Sequence, residues 1–64
     1  MSVKGIPKSE KIWVTQTMSD GTVYYTTSKE NDRSMYFLYR LENDTAVRIG
    51  KSRSPSELEQ KYIQ

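Results

Sequence analysis

Apolar and polar residues alternate in four short runs along this chain, and a helical spacing replaces the alternation near the C-terminus. K-I-W-V-T-Q-T, Lys11 to Thr17, and T-V-Y-Y-T-T, Thr22 to Thr27, are dense in β-branched and aromatic residues and predict two strands. Between them, M-S-D-G places Asp20-Gly21 where a two-residue hairpin turn is expected. Taken literally, that turn pairs Ser19 with Thr22, Met18 with Val23, Gln16 with Tyr25 and Val14 with Thr27. Opposed residues share a face. Ile12, Val14, Met18, Val23 and Tyr25 then form a core face, and Trp13, Thr15, Thr17, Tyr24 and Thr26 an outer one. S-K-E-N-D-R-S, Ser28 to Ser34, reads as a polar loop.

A second hairpin follows in M-Y-F-L-Y-R-L-E-N-D-T-A-V-R-I-G-K-S, Met35 to Ser52. Two registers compete. A two-residue Asn43-Asp44 turn pairs Leu41 with Ala46 and Tyr39 with Arg48, which mixes both faces. A loop of odd length pairs Leu41 with Val47, Tyr39 with Ile49 and Phe37 with Lys51, gathering the apolar side chains on one face. A one-residue slip moves every side chain to the other face, so burial selects the odd loop as the expectation. That choice puts Arg40 opposite Arg48, with Tyr36, Leu38, Ala46 and Gly50 on the same outer face.

Ser54-Pro55-Ser56-Glu57 has the spacing of a capping box, with Ser54 at N-cap, Pro55 at N1 and Glu57 at N3. Leu58 and Tyr62 lie four apart on one stripe of the helix that follows. So short a helix does not stand alone and must dock on the sheet. The expected fold is α+β: a four-stranded antiparallel β-meander with one C-terminal helix packed on one face, ββββα. Residues 1–10 are polar apart from a few positions, carry Gly5 and Pro7, and read as a flexible N-terminal arm; residues 11–64 read as a single small α+β domain.

Composition narrows the function classes. A chain of 64 residues buries only about 60% of its unfolded surface. Its 34% hydrophobic and 28% charged content would suit a disordered segment, but Trp13, Phe37 and five tyrosines supply burial. There is no cysteine or histidine, so disulfides and the usual ligands of zinc, copper and haem are absent; no metal or other cofactor is expected. No nucleophile–base pair or phosphate-cradling glycine motif stands out, which predicts a protein that is not an enzyme. The N-terminus lacks the apolar stretch of a signal peptide and no run is long enough to span a membrane, so a cytoplasmic location is expected. Ten basic residues against eight acidic ones leave a net charge of +2, a mild bias rather than the footprint of a dedicated nucleic-acid binder.

The candidate binding residues are the aromatics and cations of the outer sheet face: Trp13, Tyr24, Tyr36, Arg40, Arg48, Lys51 and Arg53. Interface hot spots favour tryptophan, tyrosine and arginine. The leading expectation is a small non-catalytic protein-interaction or regulatory module, such as a phage or bacterial accessory or inhibitor protein, with an unknown protein partner. The alternative is a nucleic-acid binder that stacks single-stranded bases on the same rings and meets phosphates with the same cations. A third candidate is a homodimer completed by edge-strand pairing or helix packing.

R-I-G-K-S-R-S-P-S-E-L-E-Q, Arg48 to Gln60, with Y-F-L-Y of Tyr36 to Tyr39 before it, resembles part of the GIY-YIG nuclease family. The resemblance covers less than half the chain and implies a strand pair, a short loop and a helix bearing a catalytic arginine. Glu57 stands nearest to where that arginine is expected, Arg48 replaces the tyrosine of Y-I-G, and no later helix with the family's metal-binding glutamate follows. Metal-assisted cleavage needs both groups, so the resemblance implies a degenerate hairpin-helix without nuclease activity. The expected architecture is also similar to that of the positive-cofactor family of single-strand DNA binders, with no residue motif to carry over.

Overall fold

Turn chemistry sets the sheet. The computed structural model describes residues 3–63. Four strands, β1 (Glu10–Thr17), β2 (Val23–Lys29), β3 (Asp32–Glu42) and β4 (Thr45–Ser52), form one antiparallel sheet in the order β1-β2-β3-β4, followed by the helix α1 (Pro55–Tyr62). The ββββα meander expected from the alternation is the fold.

The first hairpin closes one residue away from the expected register. Met18 N–H donates to the Thr22 carbonyl at 2.8 Å and Gly21 N–H to the Met18 carbonyl at 3.0 Å, leaving a three-residue loop with Gly21 at φ 92°. Asp20 Oδ1 accepts the Thr22 N–H at 2.9 Å. This turn asks only Gly21 for a positive φ, whereas the expected two-residue turn asks Asp20 for one as well. Thr15 therefore faces Tyr25, Gln16 faces Tyr24 and Val14 faces Thr26. A β-bulge between Ile12 and Val14 then turns Ile12 to the opposite face, beside Thr27. The expected grouping of Ile12, Val14 and Tyr25 on one face is thus broken.

In the second hairpin both competing registers occur. Asn43 and Asp44 take φ of 51° and 67°, the left-handed pair that a two-residue turn requires and that Asn and Asp tolerate best. Next to the turn, Leu41 pairs with Ala46, Arg40 with Val47 and Tyr39 with Arg48. A bulge at Ile49 adds one residue to β4, and beyond it Leu38 pairs with Gly50 and Phe37 with Lys51. The odd loop is corrected to a two-residue turn, and the bulge supplies the extra residue that burial demands. Arg40 and Arg48 are not opposed; they sit on opposite faces.

Between these hairpins the chain turns at Glu30-Asn31, where Lys29 pairs with Asp32. The polar loop expected over Ser28–Ser34 is therefore shorter, and Arg33–Met35 are absorbed as an irregularity in β3.

Both faces of the sheet are covered. Residues 3–9, expected as an arm, cross one face: Lys4 offers its carbonyl to Ala46 N–H at 2.7 Å, and Ile6 is buried with Tyr39 and Ala46. Val3, Ile12, Tyr25 and Phe37 pack around that cluster. The helix covers β3 and β4 on the other face, where Leu38 and Leu58 are both fully buried. The row Val14–Thr26–Leu38–Gly50 crosses this face from edge to edge, with its Leu38–Gly50 end beneath the helix. Gly50 is required there, because a Cβ would overlap the Tyr62 ring. Ser54 and Pro55 occupy N-cap and N1 as expected, but the box does not close on Ser54: its side chain makes no cap bond, and Glu57 accepts instead from Ser52 Oγ at 3.0 Å.

Candidate contact face and the buried glutamate network

Glu10 opens β1 on the face crossed by residues 3–9, and its side chain is only 4% exposed. A carboxylate so placed must be fully partnered to remain charged. Thr27 Oγ1 and Tyr39 Oη each donate to Glu10 Oε1 at 2.8 Å, and Arg48 Nη2 donates to Oε2 at 2.8 Å. Arg48 also donates to the Tyr39 hydroxyl through Nη2 at 2.8 Å and Nε at 3.2 Å. The guanidinium centre lies 4.1 Å from the Phe37 ring centroid. Burial raises the Tyr39 hydroxyl pKa above the usual tyrosine range, and the Glu10 carboxylate adds to that rise against the opposing pull of Arg48. The Tyr39 hydroxyl and then Glu10 raise that of the guanidinium. Arg48 is therefore a buried acid's counter-ion, tying the first strand to the third and fourth.

Lys51 lies on the same face, opposite Phe37, and is exposed; Arg53 is exposed in the loop between β4 and α1. The other four expected residues share the helix side of the sheet. Tyr24 faces Gln16 on one side and Arg40 on the other. Arg40 is bound by Glu42, at 3.1 Å from Nε and 2.7 Å from Nη2, and its pKa is raised chiefly by that carboxylate, with Tyr24 contributing. Tyr36 faces Ser28 and Ser52. Trp13, thrown to this side by the bulge, donates from its indole nitrogen to the buried Ser28 Oγ at 2.6 Å. Gln16 reaches up to Glu59 of the helix at 2.8 Å.

The helix packs on β3 and β4 and meets β1 through the Gln16–Glu59 bond, and the face around Val14 is left open. Val14 is 41% exposed there, and Trp13 and Tyr24 are half-buried beside it. An open hollow of about 610 Å³ beyond Tyr24 is lined by Asp20, Thr22, Arg40 and Glu42. What gathers on this face is rings, hydroxyls and two exposed valines, Val14 and Val47, with cations at its margins.

Three participants escaped the sequence reading. Glu10 is the sole acid among the first nineteen residues, a signal that it answers a specific cation. Lys11 and Arg33 both stand over the Trp13 ring, their charge centres 4.8 Å and 4.2 Å from its centroid; Lys11 is two positions before Trp13 in β1, and Arg33 comes from the Arg33–Met35 irregularity in β3.

Among the described residues, no three acidic side chains converge on a point that could hold a metal ion. No helix among them is long and apolar enough to cross a membrane. No protein-family model, curated protein or solved structure matches the chain.

Proposed function

We propose that this chain is a small, non-catalytic interaction module that binds a protein partner through the open part of its helix-side face, with Trp13, Tyr24, Tyr36 and Arg40 as anchors. The observation that carries the reading is the company these residues keep. Half-buried rings held in place by hydrogen bonds and strand pairing share one face with an exposed valine, with a guanidinium at the margin. Pre-positioned aromatics lose little conformational entropy on binding and suit interface anchoring. The face offers rings and hydroxyls, and its Arg40 is already paired with a carboxylate, which suits contact rather than proton transfer. Arg48 leaves the candidate set, because Glu10 and Tyr39 occupy it.

Both edge strands are interrupted by a bulge, at Trp13 in β1 and at Ile49 in β4, a feature that discourages pairing with a second copy and favours contact through the face. A fold held by packing and hydrogen bonds, without disulfides, suits the cytoplasm.

The test is site-specific photo-crosslinking in native cells, with the reactive residue placed at Tyr24, at Tyr36 or, on the opposite face, at Lys51. The expected result is one discrete protein adduct from Tyr24 and Tyr36, absent from Lys51 and lost in W13A. Equal capture from both faces, or nucleic acid as the adduct, overturns the reading.

A further inference from the structure

From the cations around Trp13, and resting on the reading just given, we infer that Lys11, Trp13 and Arg33 form an anion-binding site that takes the carboxylates of an acidic peptide segment in the partner. Lys11 Nζ and Arg33 Cζ lie 4.8 Å and 4.2 Å from one ring centroid. The two positive groups are therefore within about 9 Å of each other, inside the Debye length of roughly 10 Å at moderate salt. The ion pairs among the described residues are Arg40–Glu42 and Arg48–Glu10, and neither Lys11 nor Arg33 takes part in them. Both side chains are exposed.

Two like charges thus meet at one ring, Lys11 from two positions earlier in β1 and Arg33 from the Arg33–Met35 insertion in β3. The ring attracts each cation through its quadrupole but does not neutralise either. An anion whose carboxylates reach both cations relieves the repulsion. Arginine supplies a planar fork that matches a carboxylate, and lysine supplies a point charge beside it. The indole is fixed by its bond to Ser28 Oγ, so the ring that draws both cations is in place before the ligand arrives.

Acidic peptide is favoured over nucleic acid for two reasons. Cations already stand over the ring that a base would need for stacking. The chain's ten basic and eight acidic residues also leave a net charge of only +2, a weak pull on a phosphate backbone.

Trp13 is the sole tryptophan, so its emission and its indole N–H resonance report this site alone. The full chain is titrated at low salt with capped hexaglutamate, with an oligothymidylate of equal charge and with inorganic phosphate. Hexaglutamate is expected to shift both signals saturably. Affinity is expected to fall about tenfold or more on adding physiological salt and again in K11Q/R33Q, with the far-UV spectrum unchanged. No saturable shift, the same affinity in K11Q/R33Q, or tighter binding of oligothymidylate or phosphate overturns the proposal. The crosslink from Tyr24 separates the two claims. If it persists while hexaglutamate gives no shift, the anion site fails and the contact face stands; if both are absent, both fail.

Discussion

Replacing Arg48 with methionine separates a structural role for that arginine from a contact role. The change removes the charged donor to Glu10 Oε2 and both donors to the Tyr39 hydroxyl, while two hydroxyls still serve Oε1. Removing one member of a fully buried ion pair costs about 3–5 kcal/mol. Glu10 meets that condition at 4% side-chain exposure, but Arg48 is 44% exposed, and solvent screening lowers the figure. Methionine keeps some packing on Phe37, so the expected cost is about 2 kcal/mol, near the value of one charge-assisted hydrogen bond. For a domain this small that lowers Tm by roughly 8–16 °C. Lys51→Met, on the same face but outside the network, is expected to stay within about 0.5 kcal/mol of the parent. Glu10→Gln leaves the guanidinium partly in water and is expected to cost about 1 kcal/mol, with the double variant at least about 1 kcal/mol milder than additive. Urea and thermal unfolding followed by circular dichroism measure all four. An Arg48→Met variant within 0.5 kcal/mol of the parent, with no coupling to Glu10, refutes the assignment of Arg48 to the Glu10 network.

Other consequences can be checked on the same preparations. Ile6→Ala is expected to cost about 2–4 kcal/mol because Ile6 is only 7% exposed; a cost below 0.5 kcal/mol would show that residues 3–9 do not form a layer of the core. Asp44→Gly is expected to stabilise by about 0.5 kcal/mol, since glycine adopts φ 67° without strain; destabilisation would contradict the two-residue turn. Gly50→Ala is expected to destabilise by at least about 1 kcal/mol and to be relieved by Tyr62→Ala, whereas undiminished cost in the double variant would place the conflict elsewhere. Tyr39 has a raised pKa in the fold, so its contribution to stability is full below the ordinary tyrosine pKa and is lost as pH rises through the raised value. Unfolding at increasing alkaline pH should therefore show stability falling above about pH 10, and the fall should be absent in Tyr39→Phe.

The number, direction and order of the elements were readable because each apolar run was bounded by strong turn residues. The faces were not, and the reason is specific. Each outer strand carries a bulge, and a bulge changes the alternation without leaving a mark in composition. Trp13 and Val14 consequently share a side, and the two registers weighed for the Asn43-Asp44 hairpin both occur on either side of Ile49. The layer formed by residues 3–9 was hidden for a different reason. Ile6 is one apolar residue in a polar segment, and its burial depends on Tyr39 and Ala46 being presented beneath it. Of the residues expected on one face, Trp13, Tyr24, Tyr36 and Arg40 share the helix side of the sheet. Arg48 was misassigned because its partner Glu10 lay outside the strands as read, thirty-eight residues away in the chain.

The central claim is that the helix-side face over β1 and β2 is the binding surface while the opposite face is core. Amide and indole shift mapping of the ¹⁵N-labelled chain with the partner recovered by crosslinking tests it most directly. The account predicts changes concentrated at the Trp13 indole and the amides of Val14, Tyr24, Tyr36 and Arg40, with Tyr39 and Arg48 undisturbed. Changes centred on Arg48, Lys51 and residues 3–9 would contradict it.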